Sequence, residues 1–392
     1  MDHSVLEAVI IQIFRYQTRL NRIEMTKKTI SLAFIIVLLS FLGACESDKS
    51  TDNYKNLIQE FDKVDSRTLS DTMIVNRTFT ISQDRDSLVI ATPMRILNVG
   101  EKFLVVTENR SENFINVFSL PDLRFLYSFG TISNGPNPEE FQSVPIYFNV
   151  SGNELISYDG LSRQLRYIEL NDTTISKTRE VSLSYDGQMD PLNRVRRIRN
   201  DLYFADYGSS FENTDKEHIA LKPGVEDSLF TFGRYPESEL EGFERYGQFM
   251  KENVAKPDGS RFATFYFRYN ALKIFASDGE RIEAIKVNDS LIEDSLAQAT
   301  NDILFRTTAA ASDNYIYTVG YYTSRENVST PDSSSTSFFE VWNWDGKPVF
   351  RASFDRFIDN FTVSEMHQKI YAYNKSNDDT IYEYNLPLEL LR

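Results

Sequence analysis

A short polar turn followed by an apolar strand recurs along this chain about every 50 residues. The turn at 100–102 (GEK) precedes FLVV, and the turn at 152–154 (GNE) precedes LISY. Strands of this kind begin at Phe103, Leu155, Leu202, Phe262, Tyr315 and Ile370. Their spacings are 52, 47, 60, 53 and 55 residues. Self-similarity at such a period indicates one supersecondary unit repeated six times.

Most of the repeats continue as a hairpin. The segments with this pattern are 115–129, 165–183, 272–287 and 339–354. Each places a polar turn between two runs rich in aromatic and β-branched residues, which are typical of strands. Two of the turns are Asp-Gly pairs, in which Gly tolerates the positive φ of a tight hairpin turn. Four short antiparallel strands in about 50 residues make one blade of a β-propeller.

The last repeat lacks a fourth strand, and one strand precedes the first repeat. Residues 381–386 (IYEYNL) are followed by Pro387 and five more residues, whereas 73–81 (MIVNRTFTI) reads as an unassigned strand. We predict that this N-terminal strand completes the sixth blade and closes the ring, which removes exposed sheet edges. The predicted fold class is all-β, a six-bladed β-propeller over residues 72–392 with short helical insertions. A β-sandwich pair or a β-helix is the alternative.

Four stretches depart from the strand pattern. Residues 54–64, 237–255 and 288–302 space their apolar side chains at helical intervals, which predicts short helices. Residues 324–337 (SRENVSTPDSSSTS) are polar and predict a long loop.

The N-terminal region has the parts of a secretion signal. Residues 29–44 (TISLAFIIVLLSFLGA) contain no charge, and Lys27 and Lys28 come just before them. The apolar run is short for a membrane-spanning helix, which needs about 20 residues, so a transmembrane anchor is the weaker interpretation. Residues 1–24 do not fit a signal, and we expect translation to begin at Met25.

Cys45, the only cysteine in the chain, follows this signal directly. Residues 42–45 (LGAC) resemble the lipobox of bacterial lipoproteins, in which cleavage precedes the cysteine and its sulfur is acylated. Several acyl chains, at about 0.8 kcal/mol per buried CH₂, would hold the protein on a membrane. The alternative is a buried cysteine that behaves as a small hydrophobe. The predicted organisation is a signal peptide over 1–44, a lipidated Cys45 with a tether and short helix over 45–71, and then the propeller.

The net charge limits the partners of the chain. The 348 residues from Cys45 onward carry 37 basic and 54 acidic side chains, a net charge of −17. This charge argues against nucleic acid, which attracts basic patches, and against adhesion of the protein surface to anionic lipid. With Cys45 acylated, no thiol would remain for a disulfide, a nucleophile or a thiolate metal site.

Residues 130–141 (GTISNGPNPEEF) are the most informative internal stretch. Together with 233–236 (GRYP) and the lipobox, they resemble the TolB-like six-bladed propeller lipoproteins of Bacteroidetes, over about residues 70–390. Those proteins often carry a G-x-G-P-x-E-F element between their first blades, and this chain has one more residue inside it. The resemblance implies a fold and an envelope location; it does not imply an activity.

Motifs that would carry catalysis are not visible in the sequence. Of the histidines, His218 and His367 lie beyond the signal, and neither has a recognisable metal-ligand spacing. Acidic pairs at 84 and 86, 139 and 140, and 378 and 379 could serve glycosidases or calcium sites, but solvated turns are the commoner use. The aromatics at 321, 322, 342 and 344 could line a sugar or peptide face, but core packing is the commoner use.

Two classes of function remain open. The first is a binding or scaffold module for a protein, peptide or glycan, lipid-anchored to the outer membrane on its periplasmic or outer side, with no cofactor. The second is a propeller hydrolase or lyase acting on glycan or peptide in the central channel. Three or more convergent His, Asp, Glu or Arg side chains at the channel mouth would favour the enzyme, and a flat aromatic or mixed face would favour binding. A third possibility is a structural subunit of an outer-membrane complex.

Overall fold

A computed structural model describes most of the chain from residue 93 onward and two short segments before it. The described residues are 63–65, 72–80, 93–110, 112–133, 137, 139–186, 192–207, 214–236, 238, 240–288, 303–332, 335–375, 380–387 and 390. The predictions for the signal, for Cys45 and for the translation start lie outside these residues.

Among the described residues, three strands precede the repeats, and the first three blades follow. The N-terminal strands are β1 (Lys63–Asp65), β2 (Thr72–Met73) and β3 (Arg77–Thr80). Blade one contains β4 (Pro93–Val99), β5 (Phe103–Glu108), β6 (Glu112–Ser119), β7 (Phe125–Ile132) and β8 (Glu140–Phe141). Blade two contains β9 (Phe148–Ser151), β10 (Glu154–Asp159), β11 (Gln164–Leu170) and β12 (Ile175–Ser182). Blade three contains β13 (Asn193–Arg199), β14 (Leu202–Asp206), β15 (Lys216–Leu221) and β16 (Ser228–Arg234).

The described part of the remaining blades carries two helical insertions. Helix α1 (Gly242–Gln248) precedes blade four, and helix α2 (Arg325–Ser329) follows the second strand of blade five. Blade four contains β17 (Lys251–Ala255), β18 (Arg261–Tyr266), β19 (Ala271–Ala276) and β20 (Arg281–Asn288). Blade five contains β21 (Ile303–Ala311), β22 (Tyr315–Ser324), β23 (Phe338–Asn343) and β24 (Pro348–Phe354). Blade six contains β25 (Asn360–Ser364), β26 (Lys369–Tyr373) and β27 (Thr380–Asn385).

The six sheets form a closed ring, which confirms the predicted six-bladed β-propeller. The four main strands of each sheet are antiparallel and follow chain order from the inner to the outer strand, except that β3 is the outer strand of blade six. The inner strands β4, β9, β13, β17, β21 and β25 contact one another in that order, and β25 contacts β4. Every strand predicted from the repeat is the second strand of its blade, and each predicted hairpin forms the third and fourth strands.

The N-terminal strands follow the outer edges of three blades in turn. Strand β3 pairs antiparallel with β27, so the predicted strand at 73–81 does complete the sixth blade. The predicted strand is two strands in the structure, because β2 at its start pairs in parallel with β24 of blade five instead. Strand β1 pairs in parallel with β20 of blade four. The chain therefore passes from blade four to blade six before it enters blade one.

Apolar side chains are buried between the blades. One cluster of buried residues lies at each of the six contacts between neighbouring blades. Between blades three and four, for example, Phe204 packs on Phe232 and Phe262 with ring centroids 4.5 and 5.3 Å apart. Both faces of a blade are covered in this way, which explains why the repeat strands read as continuous apolar runs rather than as alternating patterns.

The predictions outside the strands are partly wrong. The helix predicted over 237–255 is confined to α1, and 251–255 form the inner strand β17. The loop predicted over 324–337 contains the short helix α2. The helix predicted over 54–64 and the one over 288–302 lie mostly outside the described residues, although Lys63 and Val64 belong to β1 and Asn288 ends β20. Of the helices in the described part of the chain, none has the length and apolar character needed to span a membrane.

Candidate functional site

A cavity of about 710 Å³ runs along the axis of the ring. Its lining residues extend from the middle of each inner strand into the turn that follows. They are 95–98 and 100–101 in blade one, 147–152 in blade two, 196–200 in blade three, 254–258 in blade four, 308–313 and 317 in blade five, and 360–363 and 365 in blade six. We call this cavity the channel and the end with the turns its turn end. Arg199 and Asp258 are exposed there, so the channel opens to solvent at that end.

Polar side chains of the channel wall are largely used to join one blade to the next. Asn98 donates from Nδ2 to the carbonyl oxygen of Val363 at 3.1 Å, which links blades one and six. Asn149 donates to the carbonyl oxygen of Val195 at 3.1 Å, which links blades two and three. Asn360 donates to a carbonyl of blade one at 3.2 Å. These bonds satisfy donors that a ligand in the channel would otherwise use.

The inner end of the channel is formed by charged side chains from three blades. Glu252 of blade four accepts from Arg95 Nη2 at 3.2 Å and from Arg196 Nη2 at 2.5 Å. The Tyr147 ring lies among guanidiniums, with its centroid 5.7 Å from Cζ of Arg95 and 5.7 Å from Cζ of Arg196. We call these four residues the inner cluster. Its side chains come from sequence positions up to 157 residues apart, and the ring closure brings them together.

Glu252 is held in its ionised form. Its side chain is 1% exposed, and burial alone would raise its pKa. Arg95, Arg196 and Arg194 overcome that effect and keep the pKa below its ordinary value. A carboxylate in this state binds protons weakly, so it is a poor general acid or base at neutral pH.

A second set of polar side chains lies next to the inner cluster. Arg194 donates to Asp206 at 3.0 Å and to the hydroxyl of Tyr246, in helix α1, at 3.2 Å. The other oxygen of Asp206 accepts from Asn253 Nδ2 at 2.8 Å. Helix α1, the observed part of the longer predicted helix, therefore places a tyrosine on this network. Since the Arg194 guanidinium and the Asp206 carboxylate face each other, this pair adds no net charge.

The interface of blades three and four buries more charge. Lys273 Nζ donates to Glu217 at 2.9 Å, and Tyr266 also donates to Glu217. Lys251 Nζ lies 4.5 Å from the ring centroid of Tyr235, a residue of the 233–236 stretch. These contacts place the 233–236 stretch at the interface of blades three and four, away from the channel lining.

Blade five contains a compact ion cluster around Glu340. Arg306 Nε donates to Glu340 Oε2 at 2.6 Å, and Arg351 Nε donates to Glu340 Oε1 at 2.8 Å. The Tyr322 hydroxyl donates to the same Oε1. Burial alone would raise the pKa of Glu340, but Arg306 and Arg351 lower it to about 2. All four side chains are buried in the blade rather than in the channel.

His218 and His367 lie in separate places in the structure. His218 is buried among Phe232, Phe262 and Phe275, and burial lowers its pKa well below the usual value, so it is neutral. His367 Nε2 bonds the carbonyl oxygen of Glu101 at 2.8 Å near the turn end. In the described part of the chain, no group of three or more His, Cys, Asp or Glu is arranged to hold a metal ion.

The other sequence-predicted candidates do not meet in the channel. The aromatics at 321, 322, 342 and 344 are buried, so they belong to the core. Glu139 is exposed, and Glu140 starts β8, where its carboxylate accepts from Asn137 N at 3.0 Å. In the same stretch, Phe141 packs on Phe114 with centroids 5.2 Å apart, so the described part of 130–141 lies at the outer edge of blade one. The pairs at 84 and 86 and at 378 and 379 lie outside the described residues.

The inner cluster was missed by sequence reasoning. Its members sit in or next to inner strands, in PMRILNV, NRVRRIR and KENVA. A charge inside a strand-like run, one strand before each repeat strand, is the signal that could have found Arg95, Arg196 and Glu252. Tyr147 gives no comparable signal, because aromatics are common throughout the chain.

Comparisons with known proteins show no family for this chain. The sequence matches no protein-family model and no curated protein. A member of the DUF4221 family from Bacteroides vulgatus superposes with a TM-score of 0.48 and 9% identity, over 83% of this chain and 98% of the other. A Bacteroides fragilis protein described as exported gives 0.45 and 10%, over 80% and 97%. BamB from Moraxella catarrhalis gives 0.37 and 9%, over 80% and 100%. Because these TM-scores and identities are low, the fold assignment rests on the arrangement of the six sheets in the structure.

Proposed function

We propose that the protein is a lipid-anchored binding module of a bacterial outer membrane, facing the periplasm or the exterior, that takes part of a protein, peptide or glycan into its channel. The observation that carries the proposal is a channel of about 710 Å³ with an open turn end and a charged inner end. Ligand sites of proteins are commonly clefts of about 300–1,000 Å³ with a few placed polar groups. The lipobox at Cys45 supports the anchoring, and the resemblance to TolB-like lipoproteins supports the location.

The enzyme alternative has one observation in its favour. Arg95, Arg196 and Glu252 converge at the inner end of the channel, which meets the number of side chains that we set for an enzyme but not the place, the channel mouth. Their chemistry suits binding better, because the two guanidiniums stay charged and the pKa of Glu252 is lowered. Asp359 has a pKa raised by burial, as a general acid would need, but it does not line the channel. A hydrolase or lyase is therefore the second candidate.

A photoreactive side chain in the channel is expected to capture the ligand. A photoreactive phenylalanine analogue would replace Ala310, which lines the channel, or Leu161, which is exposed elsewhere on the ring. Irradiation of cells that produce the full-length protein should give a discrete adduct from position 310 and not from position 161. Mass spectrometry of the adduct would identify a peptide or a glycan. Adducts from position 161 alone would contradict a ligand in the channel and would favour a scaffold that uses its outer surface.

Loss of the cysteine is expected to release the protein from the membrane. The Cys45→Ser variant removes the sulfur that would carry the acyl group, so it should incorporate no labelled palmitate and should remain an uncleaved precursor. The unaltered chain should carry the label and fractionate with the outer membrane. Gel fluorography and membrane fractionation measure both. A labelled Ser variant, or a mature N-terminus other than Cys45, would show that the lipoprotein assignment is wrong.

A further inference from the structure

We propose that the inner cluster binds the carboxylate of an apolar monocarboxylic acid, held between the Arg95 guanidinium and the Tyr147 hydroxyl, with the apolar body of the ligand along the channel. The inference rests on the proposed function, since it names the chemistry of the ligand for the same channel. It rests on hydrogen-bond donors of Arg95 and Tyr147 that have no partner among the described residues, and on the net charge of the inner cluster.

Arg95 has donors to spare. Its Nη2 donates to Glu252, and among the described residues its Nε and Nη1 have no hydrogen-bond partner. Its side chain is 20% exposed, whereas that of Glu252 is 1% exposed. Arg196 differs, because it also donates to the carbonyl oxygens of Asn253 and Phe148. The free edge of Arg95 is therefore the strongest hydrogen-bond donor at the inner end that a ligand could use.

Tyr147 supplies a second donor. Within the part of the chain that the structure describes, its hydroxyl has no hydrogen-bond partner, although the residue lines the channel. Burial raises the pKa of Tyr147, so the hydroxyl keeps its proton at neutral pH. A phenol and a guanidinium next to one another are complementary to a carboxylate, which accepts hydrogen bonds on both of its oxygens.

The charges of the inner cluster favour a monoanion. Arg95 and Arg196 together carry two positive charges, and Glu252 returns one negative charge, which leaves a net charge of +1. Beside the inner cluster, Arg194 and Lys251 share Asp206, and Lys273 is paired with Glu217. One carboxylate would neutralise the inner cluster itself. A phosphate dianion would exceed the charge of the inner cluster in a desolvated place, which is costly.

The wall of the channel favours an apolar body. Carbon surface from Leu97, Val150, Ala309, Ala310 and Val363, none of them fully buried, lines it. The wall amides of the described inner strands are already bonded between blades, so they offer a hydroxyl-rich sugar little to pair with. From Arg95 to the end of β4 the strand rises about 13 Å, at about 3.3 Å per residue. This length suits a short acyl or aryl chain, or the last few residues of a peptide.

The test compares acids with their amides on the full-length protein in a non-ionic detergent, with a detergent blank, by titration calorimetry. The first pair is 4-phenylbutyrate and 4-phenylbutyramide, and the second is an acetylated valyl-leucine dipeptide and its C-terminal amide. Each binding acid should exceed its amide by at least about tenfold in affinity, because the charge-assisted bonds are lost in the amide. Binding of the dipeptide alone would assign a peptide C-terminus as the source, and binding of phenylbutyrate alone would assign a free acid.

Substitutions of single residues test which side chains bind the acid. Arg95→Gln should weaken acid binding by at least about tenfold, and Tyr147→Phe should weaken it several-fold. Tyr147→Phe removes a hydroxyl without a described partner, so it should leave the unfolding midpoint unchanged even if Arg95→Gln lowers it. Arg124→Gln is the control, because Arg124 is exposed in the same blade. The proposal is overturned if no acid binds better than its amide, or if both variants bind the acids normally. If the photoreactive side chain at position 310 still captures a ligand, either of these two results would contradict only the carboxylate chemistry and not the proposed binding function.

Discussion

Replacement of Glu340 by Gln is expected to lower the free energy of unfolding by about 3–5 kcal/mol. Glu340 is the one carboxylate between the buried guanidiniums of Arg306 and Arg351, among the described residues. A neutral amide would leave both charges without compensation, and its NH₂ group would face other donors. Urea unfolding of the two proteins measures the difference. Glu326→Gln is the control, because Glu326 is exposed in helix α2 and should change stability by less than about 0.5 kcal/mol.

The triple variant Arg306→Met, Glu340→Leu, Arg351→Met separates charge from packing. It removes the whole ion cluster, and replacement of a buried ion cluster by apolar side chains is often neutral or stabilising. We expect it to be more stable than Glu340→Gln alone. If the triple variant is the less stable of the two, uncompensated charge is not the reason for the loss.

The same residue gives a dependence on pH. The pKa of Glu340 falls from its ordinary value of 4.5 to about 2 in the folded protein. A lowered pKa stabilises the fold above the pKa of the unfolded chain, and that stability disappears as the pH falls through the folded value. The contribution of Glu340 is about 3 kcal/mol and should be lost between about pH 5 and pH 2. The difference in unfolding free energy between the unaltered chain and Glu340→Gln should therefore shrink over that interval.

The blades could be predicted from sequence because their information is local. The repeat strands lie within a few residues of a tight turn, and both faces of a blade are covered by neighbours, so strand position and burial show in short windows. The strand that closes the ring was also predictable, since the last repeat lacks a fourth strand in the sequence. Helix α1 shows the limit of such windows. The helical spacing of 237–255 continues past residue 250, but the position of blade four in the ring requires an inner strand from Lys251.

The candidate site could not be predicted, because its information is not local. Arg95 and Glu252 are 157 residues apart and belong to blades one and four. Neither residue is in a motif, and an arginine or glutamate in a strand is usually a solvated side chain. Their meeting depends on the number of blades and on the orientation of each inner strand. The histidines, acidic pairs and aromatics that the sequence offered were chosen by residue type alone. The described ones lie in the core or on outer edges, except His367, which lies near the turn end.

Loss of the N-terminal strands is expected to cost about 2–5 kcal/mol of unfolding free energy, the value of one buried and one partly buried large apolar side chain together. A chain that begins at Pro93 lacks β2 and β3. It loses Met73 from the cluster between blades five and six, and Phe79 from the cluster between blades six and one. It also exposes the hydrogen-bonding edge of β27. A chain that begins at Thr72 keeps both strands and is the matched control.

Urea unfolding and size-exclusion chromatography compare the two truncated chains. The chain from Pro93 should unfold at lower urea and should associate as its concentration rises, because an exposed strand edge pairs with other chains. The chain from Thr72 should stay monomeric and should unfold as one cooperative unit. If the inner strands alone hold the ring closed and β3 adds no stability, both chains will unfold at the same urea concentration. In that case ring closure would depend on the contact of β25 with β4 alone, and the pairing of β3 with β27 would be dispensable.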